Sequence, residues 1–100
     1  MTAARRSREP SRRARLRLAE RYVWWQEPTE TLREPPVLLR QILRLGTGDD
    51  YGAARRIWGI AAFKRALVTA PPGALDKRSW VFWHRHYRLR LKAFPRRHFG

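Results

Sequence analysis

This chain of 100 residues has no cysteine, few lysines and no long apolar run. Without cysteine there can be no disulfide bond and no thiolate metal site, and we expect a reducing compartment, the cytoplasm. The longest apolar runs, such as Ile60–Phe63, fall far short of the about 18 to 20 residues that a membrane-spanning helix requires. Nearly all of the 23 basic residues are arginine, a bias that a GC-rich genome produces as readily as a need for guanidinium groups.

Acidic residues are also few, which leaves a net charge of +15. That charge is unevenly distributed. Residues 1–21 carry +6 and residues 77–100 carry +8, whereas residues 22–76 carry only +1. A charge of this size favours an anionic partner such as nucleic acid or a membrane surface. Because the centre is almost neutral, we expect such a partner to contact the two ends.

Composition divides the chain into three parts. Residues 1–20 form an arginine-rich tail, which we expect to be disordered or weakly helical because it holds too few apolar residues to offset its ordering entropy. Residues 21–93 form a helical domain, and residues 94–100 form a basic C-terminal trailer. The predicted fold class is all-α: a small orthogonal bundle of four to five short helices. The aromatic and β-branched residues of 21–25 favour an N-terminal extended arm in front of it.

Prolines, glycines and capping residues predict the helix boundaries. Pro35 suits a first helical turn, and the apolar spacing after it continues to Gly46, which we expect to end the helix as a C′ residue. Thr47 begins a capping sequence whose acidic residues suit the first turn of a second helix, roughly 49–58. Gly59 then breaks that helix before a third one.

The last predicted helix follows a proline-rich turn at residues 70–73. Asp76 can cap this helix. Large apolar residues recur along it at three- and four-residue steps from Trp80 to Leu91, and its basic residues gather on another face. A helix with so much apolar circumference is expected to pack on more than one side.

A search for catalytic groups gives no convergent set. His84 and His86 point to different faces of a helix and cannot share a metal ion. Asp49 and Asp50 are better explained as first-turn residues than as a metal pair, and Ser79 has no identifiable base partner. We therefore predict a non-enzymatic protein with no catalytic residue, no cofactor and no metal.

The basic residues predict phosphate contacts without base readout. A helix-turn-helix around Gly59 is disfavoured, because the small residue expected four positions before the turn glycine would be Arg55. The alternative is that the arginines form only a solvated face and two tails. The candidates for phosphate contact are Arg12, Arg13, Arg78, Arg85, Arg88, Arg90, Lys92, Arg96 and Arg97.

Five tryptophans exceed what a core of this size usually hides. At least one is expected to be exposed, and the candidates are Trp25, beside a polar turn, and Trp83, beside charged residues. Exposed tryptophan and arginine are enriched at interface hot spots. The candidates for partner binding are therefore Trp25, Trp83, Arg85 and Arg88.

Several short motifs carry a resemblance to a known family. They run from Arg21 almost to the end of the chain, about four-fifths of it: Arg21-Tyr22-Val23-Trp24-Trp25, Leu45-Gly46-Thr47-x-Asp49-Asp50, Ala70-Pro71-Pro72-Gly73 and Arg78-Ser79-Trp80-x-x-Trp83-His84. In these motifs the chain resembles short uncharacterised bacterial helical proteins whose genes stand beside genes for nucleotidyltransferase-like proteins of the abortive-infection type. Residues 1–20 lie outside the resemblance, and this chain is far more basic than the near-neutral members of that family.

The resemblance implies an antitoxin-like or accessory protein of a toxin–antitoxin system that binds a nucleotidyltransferase-type partner. It supplies no catalytic residue. The charge supports an alternative, an autonomous basic nucleic-acid-binding protein that contacts phosphates without sequence readout. The identity of the neighbouring gene separates the two hypotheses.

Overall fold

The structure, a computed structural model, describes the backbone of residues 3–95 and the side chains from Ser11 onward. Within this range there are six helices and no strand, which confirms the all-α fold class. The bundle has one more helix than the upper end of the prediction. The helices are α1 (Ala3–Tyr22), α2 (Pro28–Thr31), α3 (Pro35–Leu45), α4 (Gly48–Trp58), α5 (Ile60–Val68) and α6 (Lys77–His86).

The hydrophobic core is arranged around α3, which contacts each of the other five helices in the described part of the chain. Leu38, Leu39 and Ile42 are almost fully buried on α3, as apolar residues at helical spacing predict. Phe63 and Leu67 of α5 belong to the same core. No helix among the described residues combines the length and the hydrophobicity needed to cross a membrane.

The predicted capping residues begin α4 and α6. The Thr47 hydroxyl accepts a hydrogen bond of 3.1 Å from the Asp50 amide, and the Asp76 carboxylate accepts one of 3.3 Å from the Ser79 amide. A hydrogen bond from the Ser79 hydroxyl, together with this capping contact, holds the pKa of Asp76 below its usual range. Gly59 separates α4 from α5 with φ 87°, a value that L side chains rarely adopt.

Gly46 ends α3, but not through the left-handed conformation that is usual at C′. Its φ of −70° and ψ of 149° are open to any residue. A Cβ atom here would lie 2.5 Å from the carbonyl oxygen of Ile42, which is the acceptor for the Gly46 amide. Glycine is therefore required by the close approach of two backbone segments.

The last helix is shorter than predicted, since α6 ends at His86 and not near Leu91. Arg88 has φ 55°, and the amides of Arg88 and Leu89 donate to the carbonyls of Arg85 and His84 at 3.1 and 2.9 Å. This pair of bonds is a Schellman motif, in which a left-handed C′ residue stops the helix. The sequence gives little warning of it, because the C′ position holds arginine in place of glycine.

The first helix also differs from the prediction. In place of an extended arm over residues 21–25, α1 continues through Tyr22, and the chain turns afterwards. Leu18, Ala19, Tyr22 and Val23 are buried, so a helical apolar stripe crosses the predicted boundary at residue 21. The helix backbone begins at Ala3, within the tail of residues 1–20 that was predicted to be disordered or weakly helical.

A buried hydrogen bond joins the end of α1 to the start of α4. The Tyr22 hydroxyl donates to the Asp50 carboxylate at 2.6 Å and accepts from the Thr47 amide at 3.4 Å. Burial and the bond to Asp50 raise the pKa of Tyr22 above its ordinary value. Asp50 also lies 3.5 Å from the exposed Arg21 guanidinium. Asp50, in the first turn of α4, thus connects α4 to the end of α1.

Candidate binding surfaces

The five tryptophans divide into buried and exposed positions. Trp80 is buried, and Trp58 and Trp83 are half-buried against the core. Trp24 and Trp25 are 68% and 54% exposed. The predicted exposure of Trp25 is confirmed, and Trp24 is an exposed residue that the sequence analysis missed. The sequence signal for the exposure of Trp24 was the apolar stripe of α1, which ends at Val23. The two side chains that follow Val23 therefore lie outside the core.

Trp24 and Trp25 form a paired surface that we call the Trp turn. Val23, immediately before them, is fully buried, and its amide donates to the Ala19 carbonyl at 2.9 Å. The Gln26 amide closes the turn on the Val23 carbonyl at 3.2 Å. The two indole rings meet edge to face with centroids 4.9 Å apart. A rigid backbone thus presents two large rings to solvent.

Two glutamates and one arginine line a hollow that begins next to the Trp turn. This open hollow of about 240 Å³ starts at Gln26 and is lined further by Glu30, Arg33, Glu34 and Val37. Residues 22–34 hold three glutamates and one arginine, so this region is acidic in an otherwise basic chain. Exposed indole rings next to glutamates suit a partner whose own surface is apolar and bordered by basic groups.

Trp83 has a structural role that makes it a poor anchor for a partner. Its indole nitrogen donates to the Leu43 carbonyl at 2.7 Å, which ties α6 to the end of α3. Its ring packs against Tyr51 and Tyr87, whose hydroxyls are 2.8 Å apart. Burial and that hydrogen bond raise the pKa of Tyr87 well above its ordinary value. The expectation that Trp83 is an exposed anchor is therefore corrected.

The second surface lies on the outside of α6, and we call it the α6 face. An open groove of about 540 Å³ is lined by Arg78, Val81, Phe82, Arg85 and His86. Phe82 is 56% exposed, and its ring lies parallel to that of His86 within 12°, with centroids 5.9 Å apart. Phe82 was not among the residues predicted from the sequence; it lies about 200° around the helix from Trp80, which the structure shows to be buried.

The structure places the residues predicted to contact phosphates on different parts of the molecule. Arg78 and Arg85 line one groove, whereas Arg88 sits at the left-handed end of α6, off the common helix face predicted for them. Arg90 and Lys92 lie on the non-helical segment that follows, where the Lys92 carbonyl accepts from the Trp80 indole at 3.1 Å. Arg12 and Arg13 are exposed on α1. The candidates Arg96 and Arg97 lie outside the described residues.

The two histidines of α6 occupy different environments. His84 is buried, and its Nδ1 donates to the Trp80 carbonyl at 2.7 Å. The His84 Nε2 atom is buried without a hydrogen-bond partner among the described residues. His86 is exposed beside Phe82. In the part of the chain that the structure describes, no three His, Cys, Asp or Glu residues gather as metal ligands would.

The Trp turn and the α6 face thus offer different chemistry. The Trp turn presents apolar rings beside carboxylates, and the α6 face presents an aromatic pair between two guanidinium groups. The Trp turn follows α1, and α1 and α6 do not contact each other in the described structure. The chain matches no protein-family model, no curated protein and no solved structure.

Proposed function

We propose that this protein is a non-enzymatic, antitoxin-like or accessory protein that binds a nucleotidyltransferase-type partner through the Trp turn. The observation that carries the proposal is the exposure of Trp24 and Trp25 on a backbone fixed by buried Val23. Exposing two adjacent indoles contributes nothing to folding, and large aromatic residues are the commonest interface hot spots. The choice of partner rests on the motif resemblance.

The charge near the Trp turn supports a protein partner over nucleic acid at this surface. Glu27, Glu30 and Glu34 lie in the turn or just after it, and each would repel a phosphate backbone. A basic or apolar protein surface would instead be attracted. The glutamates thus offset part of the positive charge that the arginines of α1 bring to this region.

Several side chains with catalytic potential are already occupied, which supports a binding role. Asp50 accepts from Tyr22, Ser79 donates to Asp76 at 2.7 Å, and His84 donates to the Trp80 backbone. The first contact joins two helices, the second lies at the start of α6, and the third lies within α6. We place the protein in the cytoplasm, where a partner of this class would act.

Co-purification with the product of the neighbouring gene tests the proposal. A tagged chain should retain that protein, and Trp25→Ala should weaken the complex by about 2 kcal/mol, or about thirtyfold in Kd. Phe82→Ala is the matched control, because it removes an exposed ring on a helix that does not contact α1. A neighbouring gene of another class, or a complex insensitive to both Trp24→Ala and Trp25→Ala, would refute the proposal.

A growth assay tests the antitoxin-like part separately. Expression of the neighbouring protein alone should slow growth, and co-expression of this chain should restore it. The Trp25→Ala variant should restore growth less well at equal protein level. Retention of the complex without any effect on growth would leave an accessory role and exclude neutralisation.

A further inference from the structure

The α6 face combines an exposed aromatic pair with two unpaired cations. Phe82 and His86 are one helical turn apart with nearly parallel rings, and both side chains are exposed. Phe82 also meets the edge of Trp83 at 5.0 Å, which limits the orientations of its ring. The result is a pre-oriented flat surface on a helix whose other side is anchored by Trp80 and His84.

The guanidinium groups of Arg78 and Arg85 border this aromatic pair in the same groove. The one ion pair among the described side chains joins Arg21 to Asp50, so neither arginine of the α6 face is neutralised by a carboxylate. The two residues are about 10 Å apart along the helix axis. No acidic residue follows Asp76 anywhere in the chain. The groove is therefore complementary to an anion that also carries a flat ring.

We propose that the α6 face binds single-stranded nucleic acid, with a base stacked on the Phe82–His86 pair and the adjoining phosphates held by Arg78 and Arg85. Stacking on an aromatic side chain requires a base whose face is open, and duplex bases are already stacked on their neighbours. This activity belongs to a surface other than the Trp turn and is independent of the proposed protein partner.

Two other anionic partners fit the α6 face less well. An acidic peptide would pair with Arg78 and Arg85 but would make no use of the parallel rings. An anionic membrane would require a broad apolar face, and the groove offers only Val81 and Phe82 between its charged residues. Nucleic acid uses both features of the groove, the rings and the guanidinium groups.

Fluorescence anisotropy with the full chain tests the proposal. The probe is a labelled oligouridylate or oligothymidylate of about twelve nucleotides, within the range that a small binding fold covers. The wild type should bind either strand more tightly than a hairpin duplex of equal charge. Phe82→Ala should weaken single-strand binding about tenfold, and Phe82→Trp should preserve it. Neither change should affect duplex binding.

Trp24→Ala is the matched control, since it removes an exposed ring from a surface other than the α6 face. It should leave oligonucleotide binding unchanged, just as Phe82→Ala should leave the protein partner bound. Because Phe82 is exposed, circular dichroism and thermal unfolding of Phe82→Ala should match the wild type. The two proposals can therefore fail separately.

The salt dependence tests the arginines. Replacing Arg78 or Arg85 with glutamine should reduce the slope of log K against log salt by about 0.7 for a single strand, whereas Arg65→Gln on α5 should not. Equal affinity of wild type and Phe82→Ala for the single strand would overturn the proposal. So would tighter duplex binding, or a Phe82-dependent affinity for anionic vesicles or a polyglutamate peptide that exceeds the affinity for the oligonucleotide.

Discussion

Arg88 shows how one residue can set the end of a helix against its own conformational preference. Its φ of 55° lies in the left-handed region, which costs a non-glycine residue about 1 to 2 kcal/mol. Two backbone hydrogen bonds to the last turn of α6 hold it there. The strain lies directly beside the α6 face.

Replacing Arg88 with glycine should relieve that strain. After subtraction of the greater entropy of glycine in the unfolded chain, we expect Arg88→Gly to raise the free energy of unfolding by about 1 kcal/mol. Arg85→Gly, inside α6, removes the same side chain and should lower it by about 1 kcal/mol. Urea unfolding followed by tryptophan fluorescence measures both. A loss of stability in Arg88→Gly would mean that the arginine side chain itself stabilises the helix end.

Trp80 and Trp24 provide a test of burial at two tryptophans. Trp80 is 2% exposed and packs on His84, with ring centroids 4.2 Å apart, so Trp80→Ala should cost about 3 to 5 kcal/mol. Trp24→Ala, at 68% exposure, should change stability by no more than about 0.5 kcal/mol. Wild-type-like urea unfolding of Trp80→Ala would contradict the assigned core.

The buried tyrosines predict a loss of stability at alkaline pH. Burial, followed by hydrogen bonding, raises the pKa of both Tyr22 and Tyr87 in the folded state. An unfolded tyrosine loses its proton near pH 10, so above that pH the folded state holds more protons than the unfolded state. Stability should therefore be unaffected below about pH 10 and fall as the pH rises further.

The double variant Tyr22→Phe/Tyr87→Phe measures this alkaline effect. It should be less stable at neutral pH, because Asp50 and Tyr51 each lose a buried partner. Its unfolding free energy should fall less steeply than that of the wild type between about pH 10 and 11. Parallel curves for the two proteins would show that the tyrosines are not the titrating groups.

Among the helices, α3, α4 and α5 could be predicted from the sequence within a residue or so, because proline, glycine and capping residues mark their ends locally. Pro35, Thr47 and Gly59 act through their own backbone chemistry. The ends of α1 and α6 depend on tertiary contacts instead. The apolar stripe of α1 is completed by its contacts with α2, α3 and α4, and the left-handed Arg88 is held by its hydrogen bonds.

The candidate surfaces could be predicted only in part for the same reason. Trp25 followed from its polar neighbours, but Trp83 has polar neighbours too and is nevertheless packed against Tyr51. Sequence neighbours do not show which side of a helix meets the core. Phe82 becomes a candidate only once Trp80 and His84 are known to define the buried side of α6.

Truncation tests where the folded part of α1 begins. Deleting residues 1–10 should leave the thermal midpoint nearly unchanged, because the first nearly fully buried side chain on the described part of α1 is Leu18. Deleting residues 1–19 should lower the midpoint strongly, since it removes Leu18 and Ala19 from the core. A fall of more than about 5 °C in the shorter deletion, roughly 1 kcal/mol for a domain of this size, would show that residues 1–10 are docked.

The whole molecule is electrostatically asymmetric. The region that follows the Trp turn carries glutamates, whereas no acid lies beyond Asp76, where the α6 face is found. A basic or apolar protein surface and a phosphate backbone would thus be attracted to different parts of one small bundle. Because α1 and α6 do not contact each other among the described residues, substitutions in the Trp turn, which follows α1, are expected to add to those in the α6 face without coupling.

A pair of charge-reversal and aromatic variants tests this separation. Arg85→Glu/Arg88→Glu should weaken single-strand and duplex binding and flatten the salt dependence, because Arg85 is a proposed phosphate contact of the α6 face and both introduced carboxylates repel phosphates. The same variant should keep the neighbouring-gene protein bound. Trp25→Ala should do the reverse, weakening the protein complex by about 2 kcal/mol while oligonucleotide affinity stays unchanged.

If each variant impairs both kinds of binding to a similar extent, the two surfaces form one continuous interface and the separation is refuted. If the chain binds one nucleic-acid sequence at about nanomolar Kd in physiological salt and forms no complex with the neighbouring protein, it acts as an autonomous nucleic-acid-binding protein.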